Sequence, residues 1–224
     1  MQYLPSVEDF NLDTCTGKVQ YLAHCDLDPI KFFIEQTKIT SSATIQMFGE
    51  NMIECDKKGD FYNSSKCSDL MSIFSARVVP LSYQSILLIM FSLFEEAMKT
   101  WCRMLKIKNE SIENFDSFLK GCRLGELERA IRYIEKYSKI RNIEKDPSWD
   151  KIRSIRTARN AIVHNGGRVE ENYRKYLDEF NIGMREEDFS VYLDDDTIID
   201  MYNTTIEFLD RIFSQGVSLE SEVK

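Results

Sequence analysis

The residues with the clearest chemical potential lie in the stretch Arg159-Asn160-Ala161-Ile162-Val163-His164. Cleaving RNA without a metal requires a base for the 2′-hydroxyl, an acid for the leaving oxygen and positive charge near the phosphorus. Arg159, Asn160 and His164 are side chains of the types that fill these roles. We therefore predict that all three are catalytic residues of a ribonuclease site.

At 100° per residue, Arg159 falls inside the apolar stripe of a predicted helix from Ser148 to His164. The stripe consists of Ile152, Ile155, Ala158, Ile162 and Val163. Burying an unpaired guanidinium is costly, so we expect a carboxylate partner, either Glu95 or Glu96 of an upstream helix. The positions of Glu95 and Glu96 on the helical wheel do not show which of them faces Arg159. The alternative interpretation is a structural ion pair at Arg159, with His164 as an ordinary polar residue at a helix C-terminus.

The segment Arg159 to His164 resembles the R-N-x-x-x-H form of the R-x(4–6)-H motif of HEPN domains, and the following Asn165-Gly166-Gly167 is also similar. The resemblance covers roughly residues 82 to 213. It implies a helical bundle, metal-independent endoribonuclease activity, a homodimer, and an acidic residue facing the motif, for which Glu95 is the match. Toxins of this family that are paired with nucleotidyltransferase antitoxins usually carry a Tyr two residues after the motif His. This chain has Gly166 there, which argues against regulation by tyrosine modification.

Local charge favours a phosphate backbone near the same helix. Residues 139–168 hold eight basic and three acidic side chains, whereas residues 170–224 hold five basic and fifteen acidic ones. We therefore predict that Arg153, Arg156 and Arg168 bind RNA. The alternative is a solvated basic helix that pairs with the acidic segment.

Two other clusters suggest metals more weakly. Cys15, His24 and Cys25 lack the second paired cluster of a structural zinc site, and Asp194-Asp195-Asp196 is more simply the N-terminal cap of a helix. We predict no metal site and no cofactor.

The composition is typical of a soluble globular protein of 224 residues with a net charge of −8, which excludes a uniformly basic coat. The six cysteines are scattered without a C-x-x-C pair, and no signal peptide is evident, so we expect reduced thiols and a cytoplasmic location. The uncharged run from Val78 to Phe94 is interpreted as a buried helix, with a membrane span as the less favoured alternative.

Apolar periodicity predicts an all-α fold, a HEPN-like antiparallel helical bundle with one short extended element and a mixed N-terminal extension. The predicted helices span 81–107, 126–138, 148–164 and 196–213, with a further turn or two at 173–180 and the extended element at 189–193. In the first third, Asp28-Pro29 predicts the start of a short helix and Thr44 to Ile53 a strand. The expected domains are an extension of unknown role at 1–67, the helical domain at 68–216 and a tail at 217–224.

These observations favour an endoribonuclease that attacks through the RNA 2′-hydroxyl, in a prokaryotic toxin or antiphage defence system. The expected partners are the RNA substrate, a second copy of the chain, and a cognate antitoxin or defence protein, with no membrane. A catalytically inactive HEPN-like module that binds RNA or protein is the alternative. A helical small-molecule binder is a third class, supported only by the apolar core.

Overall fold

The computed structural model describes residues 5–118, 120, 123–171, 174, 184–185 and 190–221. The chain is mainly helical, as predicted. The helices are α1 (Cys15–Lys57), α2 (Phe61–Ile73), α3 (Val79–Lys108), α4 (Glu126–Tyr137), α5 (Trp149–Asn165) and α6 (Asp195–Ser221). Short 3-10 turns lie at Val7–Asp9 and Ile143–Lys145, and a π-helical turn at Phe74–Val78 joins α2 to α3. Strands β1 (Met184–Arg185) and β2 (Ser190–Val191) form one antiparallel pair, in which Met184 lies opposite Val191.

The four helices predicted from periodicity are confirmed within a few residues, except that α6 extends further than expected. All eight predicted apolar positions of α3 are buried: Ile86, Leu87, Met90, Phe94, Ala97, Met98, Trp101 and Leu105. The predicted end of α5, just before Gly166 and Gly167, is confirmed as well. Gly166 and Gly167 have φ angles of 59° and 89°, and the Gly167 N–H donates to the Ala161 carbonyl at 2.9 Å, a bond that closes the helix. The turns predicted at 173–180 lie outside the described residues, apart from Arg174.

The first third is not the mixed extension that we predicted. The helix α1 runs for 43 residues through Pro29, and the strand predicted at Thr44 to Ile53 is helical. A buried stripe of Val19, Ala23, Leu27 and Ile30 has the spacing of a helix face and favours helix across the proline. Packing of this face outweighs the hydrogen bond that Pro29 cannot make.

Contacts divide the chain into two compact units. The first comprises Met1–Ile30, Ile89–Arg156 and Met201–Lys224, and the second Lys31–Leu88 and Thr157–Asp200. The predicted boundary between residues 67 and 68 lies inside α2, and residues 217–221 continue α6. The predicted domains stay a prediction.

The first unit has an aromatic core. Trp101 packs against Phe213 with ring centroids 4.8 Å apart, and Phe94 and Trp149 lie 6.0 and 5.9 Å from Phe208. Arg211 donates to both carboxylate oxygens of Asp146 at 2.9 Å, which joins α6 to the loop before α5. These contacts fix the start of the helix that carries the motif.

In the second unit, the end of α5 packs beside β2. The Val191 N–H donates to the Gly167 carbonyl at 2.8 Å, and the Gln84 amide donates to the Val191 carbonyl at 3.0 Å. Lys38 of α1 forms an ion pair with Asp195 at the start of α6. The loop after the motif is therefore tied to α3 through β2.

One helix in the described part of the chain, Phe61–Lys108, is long and apolar enough to cross a membrane by length and composition alone. Only 39% of its most apolar 18-residue window is buried, although Leu87, Met90 and Phe94 are fully buried. A core helix of a soluble protein meets the same criterion.

Candidate functional site

The motif residues lie on the last three turns of α5. The Arg159 guanidinium Nη1 donates to the Asn160 Oδ1 at 3.0 Å, and both side chains are half-buried. His164 follows one turn after Asn160 on the same helix face and is exposed. The hydrogen bond holds Arg159 in one orientation beside that face. The structure therefore joins Arg159 to Asn160 and places His164 one turn beyond Asn160, at the end of the helix.

A buried donor at this end of the helix lacks a partner. Among the residues that the structure describes, the Nε of Arg159 has no hydrogen-bond acceptor. An unsatisfied buried polar atom is uncommon in native proteins and is often explained by a functional role or an ordered water. At the same time, Val163 is 46% exposed, which corrects its predicted place in the buried stripe. Since Val163, His164, Asn165 and Gly166 are all exposed, this end of α5 is open to a ligand.

The carboxylate partner of Arg159 was predicted to be Glu95 or Glu96. Glu96 bonds instead to Arg103 at 2.5 Å and to Lys99 at 3.2 Å, both on its own helix. Burial raises the pKa of the Glu96 carboxyl, but these two cations outweigh that effect and lower it. Glu95 is half-buried and belongs to the first unit, whereas Arg159 belongs to the second. The pairing of Arg159 with Glu95 stays a prediction.

The three arginines predicted to bind RNA differ in their surroundings. Arg156 forms a half-buried ion pair with Glu128 of α4, and Gly125 makes this possible because a Cβ there would collide with the guanidinium. Arg153 is exposed, with Asp150 one turn before it at 3.6 Å. The exposed Arg168 lies just beyond the motif, and its backbone bridges to Ser190. Arg168 is therefore the freest of the three to reach a phosphate, and Arg156 is the most committed to the fold.

The predicted basic surface is partly neutralised. Besides the Arg156 pair, the Arg141 guanidinium donates to the carbonyls of Glu135 and Ile140. These contacts occupy guanidinium groups of Arg141 and Arg156 that, from the sequence alone, were available to bind phosphate. Arg159 and Arg168 are the basic residues of this segment that lie on the motif and directly after it.

A second polar cluster was missed from the sequence. His24 of α1 is 14% exposed, and its Nδ1 and Nε2 lie 3.0 Å from Asp28 and 2.8 Å from Asp210 of α6. Burial acts to lower the pKa of His24. The hydrogen bonds to the two carboxylates have the larger, opposite effect and raise this pKa to about 9. The i, i+4 spacing of His24 and Asp28 was the available signal, whereas Asp210 is 186 positions away. With both ring nitrogens occupied, this histidine serves as a charged clamp.

The weaker metal candidates have other partners. Within the described ranges, no group of three or more His, Cys, Asp or Glu side chains is placed to hold a metal ion. The Asp194 carboxylate accepts the Thr197 N–H at 2.8 Å, which confirms its role as the cap of α6. Burial and the nearby Glu220 raise the pKa of the Cys15 thiol, so this group is a poor thiolate ligand.

Comparison with family models, curated proteins and solved structures found no match to this chain.

Proposed function

We propose that this chain is a metal-independent endoribonuclease of the HEPN type, acting as a prokaryotic toxin or defence effector. The observation that carries the proposal is the end of α5, where Arg159 is hydrogen-bonded to Asn160 and His164 is exposed one turn further on. A positive, hydrogen-bond-rich surface beside an exposed imidazole suits phosphodiester cleavage through the 2′-hydroxyl.

In this reaction the 2′-oxygen attacks phosphorus and loses its proton, the bond from phosphorus to the 5′-oxygen breaks, and the leaving oxygen gains a proton. The products are a 2′,3′-cyclic phosphate and a 5′-hydroxyl. His164 moves one of the two protons, Arg159 stabilises the negative charge on the phosphoryl oxygens, and Asn160 orients Arg159. Arg168 holds the adjoining phosphate.

One chain offers only one credible catalytic histidine, because His24 is clamped between two aspartates. In-line cleavage uses both a proton acceptor and a proton donor. A two-fold dimer would supply the second group by placing the same patch of both copies together. The proposal therefore includes a homodimer, with RNA as substrate and a cognate antitoxin or defence protein as its control.

The test is incubation of the purified protein with total RNA in EDTA, followed by analysis of the RNA ends. We expect fragments with 5′-hydroxyl ends that a polynucleotide kinase labels without prior phosphatase treatment. His164→Ala should reduce cleavage by roughly 10² to 10⁴, the usual cost of removing a general acid or base. Glu170→Ala, an exposed change close to the motif, is the matched control and should retain full activity.

An absence of cleavage by folded wild-type protein, together with RNA binding that Arg168→Ala weakens, would favour the inactive binding module instead.

A further inference from the structure

We propose that residues 31–88, called the arm below, form the surface through which two copies of this chain dock, an inference that rests on the homodimer of the proposed function. The arm consists of α1 from Lys31 onward, α2, the π-helical turn and α3 as far as Leu88, all within the second unit. Its two helices fold back on each other. The Asp60 N–H bonds the Cys55 carbonyl in the turn, and Phe48 and Phe74 pack with centroids 6.3 Å apart.

The middle of the arm, residues 35–79, lacks an apolar core. From residue 35 to residue 79, a stretch described without gaps, the only buried side chains are those of Ser41 and Ser64. Large apolar side chains of α1 are instead exposed, with Ile39 at 60% and Ile53 at 51%. Helix pairs derive most of their stability from burying an apolar face, so these helices require a further layer.

The exposed apolar residues follow a helix-packing repeat. On α1, Phe33 and Met47 are two heptads apart, and so are Ile39 and Ile53. On the second helix, Phe61 and Tyr62 are exposed at its start, and the exposed apolar positions further along are Leu70, Ile73, Val78 and Leu81, at spacings of three, five and three.

The π-helical turn at Phe74–Val78 explains the irregular spacing. A π-turn accommodates one extra residue, so the step of five from Ile73 to Val78 becomes an effective step of four. The four residues then lie along one face at the three-four-three spacing of a packed helix. The turn therefore keeps the apolar face continuous from α2 into α3.

Charge favours a second copy as the occupant. The arm carries six basic and six acidic side chains, while the whole chain has a net charge of −8. Two identical chains repel each other over most of their surface, and the neutral arm is where contact adds least to that repulsion. The charges Lys66, Asp69 and Arg77 also make the α2 part of this face unsuited to lipid, and the uncharged run from Val78 to Phe94 is tested with vesicles below.

The size of the face also fits a dimer. Residues 31–57 of α1 extend about 40 Å at 1.5 Å per residue, and two helices side by side are about 20 Å wide. Such a face covers roughly 800 Å² per copy, the area of a standard stable interface. A two-fold contact between arms would form a four-helix layer that buries the exposed repeat of both copies.

The experiment measures the mass of the full chain by light scattering after gel filtration at several concentrations. We expect about twice 26.3 kDa for the wild type. The double variant Ile39→Glu, Ile53→Glu should weaken dimerisation at least about 100-fold, because a well-packed interface residue typically costs tenfold or more when lost. Ile107→Glu, at a 69% exposed position of α3 outside the arm, is the matched control and should stay dimeric.

Circular dichroism establishes that the variants are folded, and sedimentation of the wild type on dilution gives a second measure that needs no variant. A monomeric wild type at tens of micromolar would overturn the proposal, as would a folded double variant that dimerises like the wild type. A monomer that co-sediments with phosphatidylcholine vesicles would overturn it in favour of a lipid surface. Mass is read without RNA, so the light-scattering and ribonuclease tests give separate results. A monomeric wild type would also contradict the homodimer of the proposed function, whereas a folded double variant that stays dimeric would contradict only the arm interface and leave the ribonuclease test unaffected.

Discussion

Replacing His24 with glutamine removes a charge that connects α1 to α6. In the wild type the imidazolium lies between Asp28 and Asp210, and the pKa of His24 rises from its ordinary value of 6.5 to about 9. Each pKa unit corresponds to about 1.4 kcal/mol, so the rise is worth about 3 kcal/mol when His24 is protonated. Because Asp210 is 41% exposed and partly screened by water, we expect a loss of about 2 kcal/mol in the variant.

The stabilisation by His24 should decrease as the pH rises. The pKa of His24 is higher in the folded than in the unfolded chain, so the stabilisation is fully present below about pH 6.5 and is lost as the pH rises through about 9. The difference in unfolding free energy between wild type and His24→Gln should therefore be largest near pH 6 and shrink towards pH 9.5. Subtracting the two curves cancels the titration of groups that His24 does not touch, and the Asp210 carboxyl, whose pKa His24 lowers, is expected to be ionised over this pH range.

The assay is urea denaturation followed by circular dichroism, from pH 5.5 to pH 9.5. His164→Gln is the matched control, since His164 is the only other histidine and is exposed. It should change stability by no more than about 0.5 kcal/mol. A difference between wild type and His24→Gln that stays constant over the whole pH range would refute a charged clamp and leave only a packing role for His24.

Two further pairs of variants test an ion pair and the packing of a helix glycine. Arg156→Ala should cost about 1 to 3 kcal/mol in urea denaturation because it strands the half-buried carboxylate of Glu128, whereas Arg153→Ala, at an exposed pair, should be nearly neutral. In α6, a Cβ on Gly216 would lie 2.8 Å from atoms of a core tryptophan and a threonine. Gly216→Ala should therefore lower the melting temperature despite the gain of about 1 kcal/mol in helix propensity, while Gly49→Ala in α1, with open space around it, should raise it. Equal shifts for the two glycine variants would contradict this packing argument.

The sequence alone determined the helices with strong local patterns. Eight apolar positions at three- and four-residue spacing defined α3, and all eight are buried, because a one-sided apolar stripe specifies both a helix and its inner face. The end of α5 was equally local, since Gly166 and Gly167 adopt the left-handed conformation that glycine reaches most easily. The shared face of Asn160 and His164 follows directly from their spacing of four on that helix.

The tertiary structure decided what local patterns left ambiguous. Pro29 favours a break and the β-branched residues between Thr44 and Ile53 favour a strand, yet α1 is continuous. Burial of the face around Pro29 outweighs the first preference, and pairing with the following helical segment through Phe48 and Phe74 outweighs the second. Contacts between residues far apart in sequence were also beyond local reasoning. Arg156 meets Glu128, and His24 meets Asp210, only because folding brings separate helices together, and these pairings determine which charges remain available to a ligand.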